Sequence, residues 1–303
     1  MSERLQAVLD EIIRKNGLAE TDAAVLKQLK DRLQTGNVRN CFTDHPHLTD
    51  RMVEEERDTW KREIERHMGR SWFDLPWYFA ESLFYLEVLL AWGYYRRDCP
   101  RFAVDPYAPF KEEEISREGG ALDRAARIAG EIGAIGEPGK RLAALLQFCL
   151  WANRLDLSYS RVHRRYSTTP DGGTDNLLVD HSDRTAGELI RAARVDLILD
   201  NSGSELIADL FLARTLLAYS QERKVVLHCK RTPYYVSDAT IEDVTSTIRR
   251  LGRDRRKDLE ELGGTLDRLR RDGSLVLKDH WFWNGPLHFP DLPPGLREEL
   301  GRS

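Results

Sequence analysis

VDLILDNSGSELIADL, residues 195–210, decides the fold of this chain. The run Val195–Leu199 is short, apolar and bounded by polar residues, which reads as a strand. Asp200-Asn201 ends it. The step Ser202-Gly203-Ser204-Glu205 then leads into Leu206, Ile207 and Leu210 at helical spacing. Strand, tight polar turn and helix together form the opening of a β-α-β crossover, and such crossovers build parallel sheets.

Outward from this stretch the pattern repeats. Asn176–Val179, Lys224–His228 and Ser274–Leu277 are further strand candidates, and 184–193, 204–219 and 240–271 read as helices between them. Upstream the chain reads as helix after helix. Leu5, Val8, Leu9, Ile12 and Ile13 recur at helical spacing, and similar stripes occupy 21–34, 48–68, 76–95, 121–133 and 139–152. Pro76 and Pro138-Gly139 open two of these. The segment 168–173, TTPDGG, is a loop by composition. The expected architecture is α/β: an N-terminal helical region, 1–170, packed on a C-terminal parallel-sheet, Rossmann-like layer, 171–303, that carries a metal site.

Composition fits that picture. The 303 residues are 41% hydrophobic and 32% charged, the balance of a soluble globular protein, and the net charge of −4 carries no long single-sign block. Neither a nucleic acid nor a membrane is expected as a partner. The strongest apolar stretch, 83–95, is interrupted by Glu87 and falls short of the ~20 apolar residues that span a bilayer. The first fifteen residues contain no uninterrupted apolar segment of the secretory type, so a cytoplasmic location is expected. Cys41, Cys99, Cys149 and Cys229 are scattered without a C-x-x-C pair, which argues against a zinc knuckle or a redox motif.

In open α/β sheets ligands bind beyond the carboxyl ends of the strands, where the polar residues of this chain gather. Asp200 and Asn201 follow one strand, with backbone N–H groups and a positive helix end expected to face the same space. After the next come Lys230 and then Ser237-Asp238-Ala239-Thr240; after the last come Lys278, Asp279 and His280. Two carboxylates and a carboxamide are hard oxygen donors suited to Mg²⁺ or Mn²⁺, and Lys230 adds a positive charge for phosphate oxygens. That set suits phosphoryl transfer to water. Asp and Asn also favour helix caps and turns, and each of the three taken singly reads sooner as a cap than as a ligand.

Other residues carry weaker signals. Glu81 lies among Trp77, Tyr78, Phe79, Phe84 and Tyr85, and a carboxylate there needs a partner if buried. Asn153-Arg154 and Asp156 follow an apolar helix and suit either a crevice lining or a salt-bridged hinge. His45 and His47, beside Pro46, read as surface residues. The chain contains no G-x-G-x-x-G, P-loop or G-x-S-x-G, against a dinucleotide enzyme, a P-loop NTPase and an α/β-hydrolase.

LILDNSGSELIADL (197–210) followed by VVLHCKRTPYYVSDATIEDV (225–244) resembles the metal-dependent damage-control phosphatase family, in the subfamily that includes proteins named acidic residue methyltransferase. SWFDLPWYFAESLFY (71–85), LWANRLDLS (150–158) and DHWFWNGPLHF (279–289) look like family blocks in the right order, so the resemblance covers roughly 70–290. It implies that Asp200, Asn201 and Asp238 hold a divalent metal, Mn²⁺ or Mg²⁺, with Asp200 and Asp238 as catalytic residues. Asp200 is a ligand or a nucleophile on this reading. It further implies Glu81, Asn153, Glu205 and Lys230 on the substrate side, and hydrolysis of small phosphorylated metabolites such as hexose and pentose phosphates. Two alternatives accompany it: a carboxyl methyltransferase using S-adenosylmethionine, for which no glycine-rich nucleotide loop is seen, and a non-catalytic metabolite-binding protein. Family members generally continue into K-G-D-x-N-Y-R and R-T-x-K motifs, whereas this sequence stops at GLREELGRS. Weak or absent activity is the expectation for a chain without them.

Overall fold

A computed structural model describes residues 2–45, 48, 51–152 and 177–302. The chain divides into two compact units: 1–110 with 232–235 and 281–293, and 111–231 with 236–280 and 294–303. The boundary expected near residue 170 lies outside the described residues, as does Asn176.

The first unit is helical, with α1 (Ser2–Lys15), α2 (Glu20–Thr35), α3 (Glu54–Glu65) and α4 (Trp77–Trp92). Helix α4 is apolar on every side, and nearly all of it from Phe79 to Trp92 is buried, as a central helix must be. Its two carboxylates survive burial by ion pairing, Glu81 with Arg4 and Glu87 with Arg32. Gly93 ends it in the left-handed region, φ 86°, with its N–H returned to Leu89 and Leu90. The segment 281–284 joins this unit as a buried aromatic turn, and the Asn284 amide donates to the Thr232 carbonyl at 2.9 Å.

The second unit contains α5 (Ala108–Ser116), only its first three residues belonging to the other unit, then α6 (Ala121–Gly133), α7 (Pro138–Ala152) and α8 (Ser182–Arg191). The sheet portion follows in the order β1 (Arg194–Ile198), α9 (Ser204–Leu217), β2 (Lys224–Lys230), α10 (Ile241–Leu251), α11 (Lys257–Arg271) and β3 (Leu275–His280), and α12 (Pro294–Leu300) comes last. The three strands are parallel in the order β1-β2-β3, with Leu197, Leu227 and Leu277 in register. The α/β expectation holds. Val195, Leu199, Val225, Leu227, Cys229 and Leu275 face the hydrophobic core with the helices. Asp196, His228 and Lys278 alternate onto the other face, as the two-residue period of a strand requires.

Three readings need correction, and one helix was not expected. The part of the first strand candidate that is described, 177–179, is no strand: Leu178 is fully exposed and Val179 is 68% exposed, and apolar residues without a covering surface gain nothing by pairing. The single helix read across 240–271 is two. Asp254 accepts from the Arg256 N–H and restarts the helix, while Gly252 and Gly263 bring α10 and α11 into backbone contact. Strands β2 and β3 run further than expected, so Lys230, Lys278, Asp279 and His280 are strand residues and not loop residues. Helix α5 falls in a segment with no clear apolar stripe. Among the described residues, no helix is long and apolar enough to cross a membrane.

Candidate active site

All groups of this site belong to the second unit. Where β1 ends, Leu199 N–H still bonds to the His228 carbonyl at 2.9 Å, and the chain then turns along the segment 237–239. Ser202 N–H donates to the Ser237 carbonyl at 2.6 Å, Ala239 N–H to the Asp200 carbonyl at 2.7 Å, and Lys230 N–H to the Ala239 carbonyl at 2.9 Å. Asn201 and Asp238 form an isolated antiparallel bridge. Residues nearly forty apart in sequence are therefore fixed side by side through their backbones. The approach to Asp238 is unusual, with φ of 44° at Tyr235 and 70° at Val236, a region that non-glycine residues enter only where neighbouring bonds hold them.

Lys230, the last residue of β2, reaches between the two carboxylates, with Nζ 3.4 Å from Asp200 Oδ1 and 3.1 Å from Asp238 Oδ2. The Asp200 side chain is 58% exposed and that of Asp238 only 6%, so the pair runs from the surface inward. Asn201 lies between them. Its Oδ1 accepts from Ser237 Oγ at 2.6 Å, and its Nδ2 donates to Asp200 at 3.2 Å and to Glu205 Oε2 at 2.9 Å. Glu205, in the first turn of α9, and Asp209, one turn later, share a helix face.

Among the described residues, the cations bonded to these groups are Lys230 on the carboxylates and Lys111 on the Asp238 carbonyl. Burial pushes Asp238 up to about 7 although Lys230 opposes it, and the charge of Asp200 adds to the rise. Burial pushes Glu205 up to about 8; the Asn201 hydrogen bond opposes this, and Asp200, Asp209 and Asp238 reinforce it. Asp209 rises to about 7, mainly by burial, with Cys149 as its hydrogen-bond partner. Lys230 responds in the opposite sense: burial works against its charge, yet the flanking aspartates hold its ammonium above the ordinary range. Two aspartates and a carboxamide around one lysine form a hard, oxygen-rich donor set short of cations, which fits a divalent ion.

The start of α9 differs from the sequence reading. Gly203 adopts φ 76° and ψ −131°, and the Glu114 carboxylate fills the space where a side chain would stand. Glu114 Oε1 accepts from both the N–H and the hydroxyl of Ser204 at 3.1 Å. These first donors of the helix are thus committed to an internal carboxylate, where helix ends were expected to face a ligand. Burial raises the pKa of Glu114 despite the two Ser204 bonds.

The sequence profile of the damage-control phosphatase ARMT1-like domain matches residues 1–303. The chain belongs to this family. Damage-control phosphatase ARMT1 of Danio rerio is 25% identical over 318 residues, covering 93% of this chain and 68% of the relative. That of Xenopus tropicalis is 27% identical over 322 residues, covering 91% and 67%. A solved DUF89 family protein from Pyrococcus horikoshii covers 99% of this chain and 80% of its own at a TM-score of 0.46 and 14% identity. The resemblance drawn from the sequence is borne out, and a small-molecule metabolite is the substrate type that a damage-control phosphatase implies.

Of the residues singled out in this ARMT1-like domain, the structure brings together Asp200, Asn201, Glu205, Lys230 and Asp238. Glu81 belongs to the other unit, where it is fully buried against Arg4. Asn153, Arg154, Asp156 and His47 lie outside the described residues. Sequence reading named Ser237 only as a neighbour of Asp238, with no role, and missed Asp209, Glu114 and Lys111. Asp209 stands four residues after Glu205 on the same helix, a spacing that could have found it; Glu114 and Lys111 sit in α5, which gave no signal.

A second group with ligand-type atoms lies on the outer sheet face: Asp196, His228 and Glu299 approach within 4.8 Å of one another. Its charges are already balanced. Arg194 holds Asp196 through two bonds of 2.6 and 2.7 Å and reaches Glu299 at 3.2 Å, and Lys278 also pairs with Glu299. An added cation there would meet Arg194 and Lys278 on the carboxylates themselves, whereas at Asp200 and Asp238 Lys230 alone of the described cations pairs with the carboxylates, Lys111 being bonded to the Asp238 backbone carbonyl.

Proposed function

We propose that this chain is a divalent-metal-dependent phosphomonoesterase for small phosphorylated metabolites such as sugar phosphates. One observation carries the reading: Asp200-Asn201 and Asp238, on separate strand-end loops, are pinned together by backbone bonds around the Lys230 ammonium. Asp200, Asn201 and Asp238 would hold Mn²⁺ or Mg²⁺. Asn201 can offer its oxygen by turning its amide over, because the Ser237 hydroxyl accepts as readily as it donates. A divalent ion at this point supplies a Lewis acid that neutralises charge developing on the transferring phosphoryl group.

The remaining work falls to the chain itself. Lys230, the cation nearest both aspartates, binds phosphate oxygens and orients the phosphoryl group. Glu205, bonded to the Asn201 amide at 2.9 Å, offers its carboxyl as a hydrogen-bond partner to the hydroxyl-bearing part of the substrate. Burial of Asp238 excludes water from the inner side, which strengthens every charge interaction there. Glu81 and Asn153 stand on the substrate side by the family resemblance alone.

The test is phosphate release from a panel of sugar phosphates with Mn²⁺, with Mg²⁺ and after chelation. Turnover that needs the ion and disappears in Asp200→Ala is the expected result. Folded protein that releases no phosphate, or an Asp200→Ala variant with unchanged kcat, counts against the assignment.

A further inference from the structure

Lys111 is buried at 3% exposure beside the cap of α10. Its Nζ is 2.7 Å from Asp243 Oδ2 and 3.0 Å from the backbone carbonyl of Asp238. Asp243 already closes a complete capping box at the start of α10: its Oδ2 accepts from Thr240 N–H at 2.9 Å and Thr240 Oγ1 at 2.7 Å, and Asp243 N–H returns to Thr240 Oγ1 at 3.3 Å. Such a box satisfies the helix end without a lysine. Burying an ammonium is costly unless its hydrogen bonds do something the fold needs.

What Lys111 adds is the hold on Asp238. The carbonyls on either side are fixed by other donors, Ser237 by Ser202 N–H and Ala239 by Lys230 N–H. The Asp238 carbonyl between them takes Lys111 Nζ. This short segment leaves two residues at positive φ, Tyr235 and Val236, a conformation that costs roughly 1–3 kcal/mol per residue and persists only when surrounding bonds over-determine it. Asp238 is bracketed by two lysines, Lys230 on its carboxylate and Lys111 on its carbonyl.

We propose that Lys111 is a positioning residue that sets the Asp238 carboxylate in register with Asp200 and Asn201 for a divalent cation. This rests on the reading of those three residues as an ion site. Groups that orient a metal's ligands commonly govern its affinity by about 10–100-fold.

The experiment is Mn²⁺ binding to the whole chain, followed by the paramagnetic resonance of free Mn²⁺, with thermal unfolding alongside. Lys111→Met is expected to weaken Mn²⁺ binding by at least about tenfold, with kcat recovering at saturating Mn²⁺, because its effect is on holding the ion. Thr240→Ala breaks the same cap but leaves Lys111 on Asp238, and is expected to lower Tm while Mn²⁺ affinity stays within about threefold of wild type. Equal Mn²⁺ affinity in Lys111→Met and wild type, or equal losses in Lys111→Met and Thr240→Ala, overturns the inference. Should Lys111→Met not fold, Lys111→Arg and Lys111→Gln carry the comparison. Arginine keeps the charge and donors and should bind about tenfold tighter than glutamine, and equality of the two overturns the inference. A wild-type protein that takes up no Mn²⁺ overturns the ion-site reading and this inference with it.

Discussion

Replacing Gly203 by alanine should damage the second unit out of proportion to one added methyl group. A Cβ at this position would stand 2.2 Å from Oε2, 2.3 Å from Cδ and 2.5 Å from Oε1 of Glu114, so the carboxylate must leave. Its departure removes the acceptor for both the N–H and the hydroxyl of Ser204, and bonds to a charged group are worth roughly 1.5–3 kcal/mol. The backbone at φ 76° and ψ −131° adds about 1–3 kcal/mol for any residue with a Cβ. Counting the two bonds to the one carboxylate together, the sum is roughly 2.5–6 kcal/mol, which for a unit of this size lowers Tm by about 10 °C. Gly264, inside α11 with open space where its Cβ would lie, is the control: alanine there should stabilise by about 0.5–1 kcal/mol. Urea and thermal unfolding of Gly203→Ala, Glu114→Ala, the double variant and Gly264→Ala give the comparison. The double variant should be no less stable than Gly203→Ala alone, because the first substitution already evicts the carboxylate. A Gly203→Ala protein within about 1 kcal/mol of wild type, or losses that simply add in the double variant, would refute this account of how α9 begins.

The contribution of Asp238 and Glu205 to the stability of the metal-free protein should run with pH in the direction opposite to ordinary acid denaturation. Asp238 and Glu205 rise on folding from 3.8 and 4.5 to about 7 and about 8, so their protonated forms favour the folded state. The associated stability is fully present below pH ~4 and is lost as pH climbs through ~7 and ~8. The increase in Tm given by Mn²⁺ should therefore grow between pH 5 and pH 8 and then flatten; a shift that is constant across this range counts against carboxylates as the binding groups. His228→Ala separates the two acid-rich clusters. It removes the 2.6 Å partner of buried Asp196 and should cost roughly 2–3 kcal/mol in urea unfolding while leaving Mn²⁺ stoichiometry unchanged. Loss of Mn²⁺ in His228→Ala with retention in Asp200→Ala would move the ion to the outer sheet face.

How far the sequence could be read depended on how local each feature is. Strands β1, β2 and β3 announced themselves as short apolar runs bounded by polar residues, α10 and α11 by an apolar stripe, and α9 by an apolar run that is buried almost all round. The break between α10 and α11 escaped because Gly252 and Gly263 act across a helix pair, and no periodicity within one helix shows that contact. Asp200, Asn201, Lys230 and Asp238 were legible as polar residues at strand ends. Glu114 and Lys111 were not, since their roles depend on partners about 90 and 130 residues away in sequence, brought near by the packing of α5.

The sequence by itself determined the parallel α/β plan, the family, and which oxygen donors stand at the ends of β1 and beyond β2, because strand length, apolar period and turn chemistry are written in neighbouring residues. Tertiary structure alone decided that Asn201 and Asp238 bridge, that Lys230 lies between the aspartates, and that Glu114 occupies the head of α9. Those outcomes come from backbone hydrogen bonds and charges meeting at distances of about 3 Å, across separations along the chain that no local pattern spans.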